Sequence, residues 1–117
     1  MYTPTVRIAD DESQITAPQF NCNPTVLTSA QQARSLDLRE VLKPGIVEVK
    51  ELPDGYRFRF KNDVSLMRSI GQYVNLKRQC CPYLTYGVRI EREREYVWLQ
   101  VTGRIGIKGT IRQEFGI

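Results

Sequence analysis

Residues 56–83 read YRFRFKNDVSLMRSIGQYVNLKRQCCPY, and a change of period inside this stretch decides the fold. Tyr56, Phe58 and Phe60 alternate with Arg57 and Arg59, the two-residue repeat of a strand with one apolar and one wet face. Asn62 or Asp63 then supplies a helix cap. From there Leu66, Met67, Ile70, Tyr73, Val74, Lys77, Cys80 and Cys81 recur at spacings of three and four, with Arg68, Gln72, Asn75 and Gln79 on the opposite face. Pro82 ends the helix. The chain thus passes from strand to helix and stops at two adjacent thiols.

Upstream, Ile46 to Glu51 pairs with the Tyr56 strand through Pro53-Asp54-Gly55, a turn with a conformational reason in each residue. Val47 and Val49 are expected to face inward in that first strand, with Glu48 and Lys50 outward. Thr28 or Ser29 caps an earlier helix, with Gln31 at the capping-box position, and that helix runs to about Leu42 before Pro44-Gly45 stops it. Its expected buried face holds Ala30, Ala33, Leu38 and Val41. Phe20-Asn21-Cys22 reads as a short extended piece, and residues 1–19, with Pro4 and Pro18 and no sustained period, read as a loosely ordered arm.

Downstream, Leu84, Tyr86, Val88 and Ile90 alternate toward one face, Glu91-Arg92-Glu93-Arg94 makes a charged turn, and Tyr96 to Thr102 returns. Val97, Leu99 and Val101 then face the core, leaving Tyr96, Trp98 and Gln100 outside. Ile105, Ile107, Ile111 and Phe115 suggest a closing helix weakened by Gly106 and Gly109, at about 1 kcal/mol each relative to alanine. The layer solution that buries all of these stripes is an α+β two-layer sandwich in residues 20–117: a four-stranded antiparallel sheet made from two hairpins, with two to three helices on one face.

The chain has 117 residues, enough for one core without staples, and its 41% hydrophobic and 26% charged content is that of an ordinary globular domain. No apolar run is long enough for a membrane span or opens the chain as a leader would, so a cytoplasmic setting is expected. Three cysteines do not make a disulfide framework, and reduced thiols follow as the expectation. Histidine is absent, which removes imidazole bases, Cys-His pairs and histidine metal ligands together. No catalytic residue is assigned, and no nucleotide or organic cofactor is indicated.

Adjacent cysteines are poor disulfide partners for each other, because their Cα atoms stand about 3.8 Å apart, below the roughly 4.4 Å a bridge needs. Holding one soft ion between them is easier. Thiolates select Zn(II) or Cu(I) and, by the same softness, Hg(II) or As(III). Cys22 is the third candidate ligand beside Cys80 and Cys81, giving a trigonal site or a zinc site one ligand short. Lys77, three and four residues before the pair, is placed to favour thiolate, against the helix C-terminus that disfavours it. The competing expectation is that buried cysteine serves as a small apolar filler.

Lys77-Arg78-Gln79-Cys80-Cys81-Pro82-Tyr83-Leu84-Thr85-Tyr86, followed by Val97-Trp98-Leu99-Gln100-Val101-Thr102-Gly103, resembles a group of small bacterial proteins that share an Arg-X-Cys-Cys-Pro-aromatic signature, a strand pair and an apolar strand ending in Thr-Gly. Cys22 and the Leu-Pro-Asp-Gly-Tyr turn at 52–56 match the same group. The resemblance spans most of residues 20–115 and carries no established activity. It departs after Gly103, where Arg104 stands in place of a usual proline.

A second surface competes for function. Lys50, Arg57, Arg59 and Arg89 with Tyr96 and Trp98 are expected on the outer sheet face, where basic and aromatic groups can hold single-stranded nucleic acid or pack against a second copy in a homodimer. Dimerisation ranks ahead of nucleic acid, since no RNP-like motif is present.

Overall fold

The computed structural model describes residues 23–117, which form a four-stranded antiparallel sheet and three helices. The expected arm at 1–19 and the extended piece at 20–22 lie outside the described residues. The strands are β1 (Ile46–Leu52), β2 (Gly55–Lys61), β3 (Thr85–Ile90) and β4 (Tyr96–Thr102), and the helices are α1 (Ser29–Leu42), α2 (Val64–Cys80) and α3 (Lys108–Phe115). Strand order is β1-β2-β4-β3, so each hairpin is intact and the two meet along β2 and β4. Among the described residues no helix is long and apolar enough to cross a membrane.

Register explains which side chains reach the core. Phe58 opposes Leu99, Phe60 opposes Val97 and Tyr56 opposes Val101, and all six are buried. The same pairing puts Arg57 opposite Gln100 and Arg59 opposite Trp98 on the other face. The first strand departs from simple alternation. A register shift between Ile46 and Glu48 makes Ile46, not Val47, the partner of Phe60. Val47 is therefore exposed, and Val49, although opposite Phe58, is left open at the sheet edge.

The turn between β1 and β2 is tightly fitted to the end of β4. A Cβ on Gly55 would lie 2.0 Å from the Val101 carbonyl oxygen, so only glycine lets the two backbones approach. The neighbouring Gly103 amide donates to the Asp54 carbonyl at 3.0 Å.

Both main helices start as their caps require. The Gln31 amide donates to the Thr28 hydroxyl at 3.1 Å while the Thr28 amide donates to the Gln31 side chain at 2.9 Å. Asp63 accepts from the Leu66 amide at 3.0 Å. The buried stripe of α1 is Ser35, Leu38 and Leu42, so of the expected face Leu38 is buried while Ala30, Ala33 and Val41 face solvent. A run with so few large apolar residues tolerates more than one phase, and Leu38 with Leu42 sets it. In α2 Ile70, Tyr73, Leu76, Lys77 and Cys80 are buried, which adds Leu76 to the expected stripe. The closing helix does form, on Ile107, Ile111 and Phe115, while Ile105 is outside it and exposed. Phe115 lies 4.3 Å from Phe58 and 5.9 Å from Tyr73 between ring centroids, and this anchors α3 to both layers.

Candidate thiol site

Helix α2 ends at Cys80, and Cys81 leaves the helical region with φ −128° and ψ 67°. That one turn of the backbone brings two adjacent side chains to the same side, with their sulfurs 3.8 Å apart. Both are deeply placed, Cys80 at 4% exposure and Cys81 at 0%. Cys80 is a free thiol. Cys81 is disulfide-bonded, which departs from the expected reduced state.

Cys22 also lies outside the described residues, but the residue covalently next to it does not. The Asn23 amide donates to the Cys80 carbonyl at 2.9 Å, taking up one of the carbonyls that a helix C-terminus leaves unpaired. The chain immediately after Cys22 is thereby tied to the end of α2. Among the described residues no group of three histidine, cysteine, aspartate or glutamate side chains is arranged to hold a metal ion.

Beside Cys81 is a cavity of about 20 Å³ whose lining includes Tyr73, Lys77, Cys81, Tyr86 and Glu114. This is room for about one water. Its polar wall is a network joining all three helices. Glu114 of α3 accepts from the Tyr73 hydroxyl at 2.6 Å, pairs with the Lys77 ammonium at 3.1 Å, both from α2, and receives Arg39 of α1 at 3.4 Å. Burial pushes the Glu114 carboxyl up, yet the Lys77 charge, the Tyr73 hydrogen bond and Arg39 together outweigh it and hold the group below the usual carboxylate range. Tyr73 is pushed well above its ordinary value by burial and by the Glu114 charge.

Lys77, expected to favour thiolate, thus sends its ammonium to a carboxylate. The tyrosines are the other neighbours. Burial, and then the Cys80 sulfur and Glu114, push Tyr83 up to about 12 and Tyr86 higher still. The Tyr86 hydroxyl is buried with no hydrogen-bond partner among the described residues. Such an orphan costs about 1–3 kcal/mol, so it marks a place where a polar or charged species can be received.

Glu114, Tyr73 and Tyr86 were missed by the sequence reading. One signal was present: a lysine on the apolar stripe of α2 requires a buried acid.

The outer sheet face has the expected composition but not the expected openness. Trp98 is only 6% exposed. Lys50, Arg57 and Arg59 lie 5.4, 5.8 and 5.5 Å from its ring centroid, and Arg59 stacks 3.8 Å over Tyr96. Arg59 donates twice to Glu91, at 2.9 Å each, and once to Glu48 at 3.3 Å, while the Trp98 ring nitrogen donates to Glu91. Arg57 donates to Gln100 at 3.2 Å, and Arg89 is exposed. These aromatics are already covered by the protein's own cations. A stacking base would have to displace them.

The chain gives no significant match to any family description, to any curated protein or to any solved structure.

Proposed function

We propose that this is a small cytoplasmic thiol protein whose reduced form captures one soft or borderline metal ion through Cys80 and Cys81, with Cys22 as third ligand. The separation of the Cys80 and Cys81 sulfurs, 3.8 Å, carries this reading. Two sulfurs bonded at about 2.3 Å to one tetrahedral ion stand about 3.8 Å apart, so once Cys81 is reduced the spacing of the pair already suits chelation. A linear two-thiolate ion needs a wider bite of about 4.6 Å at the same bond length, which favours zinc or cadmium over a two-coordinate ion. The Asn23 amide on the Cys80 carbonyl supports Cys22 as the third donor.

Both sulfurs are buried, so an ion enters by local opening of the α2 terminus and the 82–84 loop, and both capture and release are slow. The test is cadmium titration of fully reduced protein followed by native mass spectrometry. One ion per chain is expected, with thiolate-to-metal charge-transfer absorption. Cys81→Ser should abolish it and Cys80→Ser should weaken it at least tenfold. A reduced wild-type chain that retains no cadmium overturns the proposal.

A second reading, a homodimer, gains support from β3, an edge strand with Val88 46% and Ile90 50% exposed. Edges of this kind are open to pairing with a further strand. Sedimentation at rising concentration tests it.

A further inference from the structure

Register lays out the outer sheet face, remote from the thiols in its chemistry, as rows that cross all four strands. One row reads Glu48, Arg59, Trp98, Arg89, and in it Arg59 is neutralised by Glu48 and Glu91. The next row reads Lys50, Arg57, Gln100, Gly87 and holds two cations and no acid. Among the described residues the salt bridges leave out Lys50, Arg57 and Arg89. Glu91 feels Arg89 only through space, and less than it feels its bonded partners Arg59 and Trp98. Arg57 donates from Nε to Gln100 at 3.2 Å, which keeps its two terminal nitrogens for another acceptor.

Gly87 is where the acid-free row stops short. A Cβ there would meet nothing nearer than the Gln100 Cβ at 3.9 Å, an ordinary contact, and Gly87 is not among the glycines with positive φ. Neither space nor backbone therefore calls for glycine, which weakens the interior of a strand. The missing side chain instead opens a hollow of about 170 Å³ lined by Arg57, Gly87, Val88, Arg89, Trp98 and Gln100. Arg57 and Arg89 sit on strands with β4 between them, so about 10 Å separates their backbones and each reaches the hollow from its own side.

We propose that this hollow binds a phosphate monoester, the dianionic group of a small phosphorylated molecule. It is smaller than the roughly 300 Å³ at which drug-sized pockets begin, so its occupant is compact. A carboxylate has two oxygens and one charge and occupies one guanidinium fork. A phosphate monoester has three terminal oxygens and a charge of about −1.5 to −2, which suits two forks with Lys50 behind them. Gln100, whose oxygen accepts from Arg57, fixes that guanidinium and keeps its own amide nitrogen as a further donor. Single-stranded nucleic acid fits less well, because its bases need an open ring and Trp98 is 6% exposed beneath Lys50, Arg57 and Arg59.

The test is equilibrium dialysis of the full chain against radiolabelled inorganic phosphate at about pH 8, where phosphate is chiefly a dianion, with chloride holding the ionic strength constant. Saturation at one phosphate per chain is expected. Arg57→Gln, Arg89→Gln and Gly87→Val, the last of which fills the hollow with a good strand former, should each weaken binding at least tenfold. Lys61→Gln, two rows away opposite Tyr96, should change it less than twofold. Urea midpoints establish that each variant is folded, and Gly87→Val should be no less stable than the wild type. Uptake by the wild type that does not saturate, Gly87→Val binding as tightly as the wild type, or an equal loss in Lys61→Gln would each overturn the proposal. So would oligothymidylate bound at least tenfold more tightly than phosphate with the same arginine dependence, which would assign the face to single-stranded nucleic acid.

Discussion

Glu91 and Glu114 perform the same chemistry in two different places. Each carboxylate gathers an aromatic donor and basic partners: Trp98 and Arg59 for Glu91, and Tyr73, Lys77 and Arg39 for Glu114. Both acids are held below the ordinary carboxylate range. For Glu91 the first cause is the Arg59 hydrogen bond, whereas for Glu114 burial opposes ionisation and the cations must overcome it. The two carboxylates are similarly exposed, 25% and 21%, but Glu114 is paired with the more deeply set Lys77, and a network with a buried cation depends more on every member being present.

The comparison is tested most severely by Glu114→Gln. Lys77 would lose its carboxylate partner in a partly dry setting, while Arg39 keeps Glu40 at 3.5 Å, and a loss of about 2–3 kcal/mol is expected in urea unfolding. A loss under about 0.5 kcal/mol would mean that the interior network behaves like the surface one. Next comes Tyr73→Phe, which deletes one hydrogen bond to a charged group and should cost roughly 1–2 kcal/mol in the same assay.

Acid unfolding sharpens the contrast. A carboxyl with a depressed folded-state pKa contributes fully above its unfolded value, near 4.3 for glutamate, and loses that contribution as pH falls through the folded value. Stability of the wild type should therefore fall between about pH 5 and the folded value of Glu114. Glu114→Gln should flatten this slope, and Glu91→Gln should flatten it less. Smallest of all is the effect of Glu91→Gln at neutral pH. It should shift the emission of Trp98, the sole tryptophan of the chain, with little change in stability, and added salt should mimic the shift because a wet ion pair is screened.

The difference between the two networks also explains what the sequence made legible. The sheet could be read because alternation fixes facing: Tyr56, Phe58 and Phe60 against Val97, Leu99 and Val101 needed only a period of two, and so did the placing of Arg59 and Trp98 outside. The bulge at Ile46–Glu48 could not be read, since one extra residue reverses the facing of Val47 without any change in residue type. The phase of α1 failed for want of large apolar residues. The thiol pair was visible as a motif, while its surroundings were not. Glu114 meets Tyr73 and Arg39 across 41 and 75 positions of chain, and no local pattern encodes such a meeting. The outer aromatics were assigned the right face but the wrong accessibility, because cover depends on where long cationic side chains settle after folding.

The hydrogen bond from Asn23 to the last turn of α2 has a consequence for biosynthesis. During translation Asn23 leaves the ribosome well before Cys80, and the carbonyl that receives its amide is presented only once α2 has closed. The segment ahead of α1 can therefore be fastened only after the second helix is complete, which makes its docking a late step of folding.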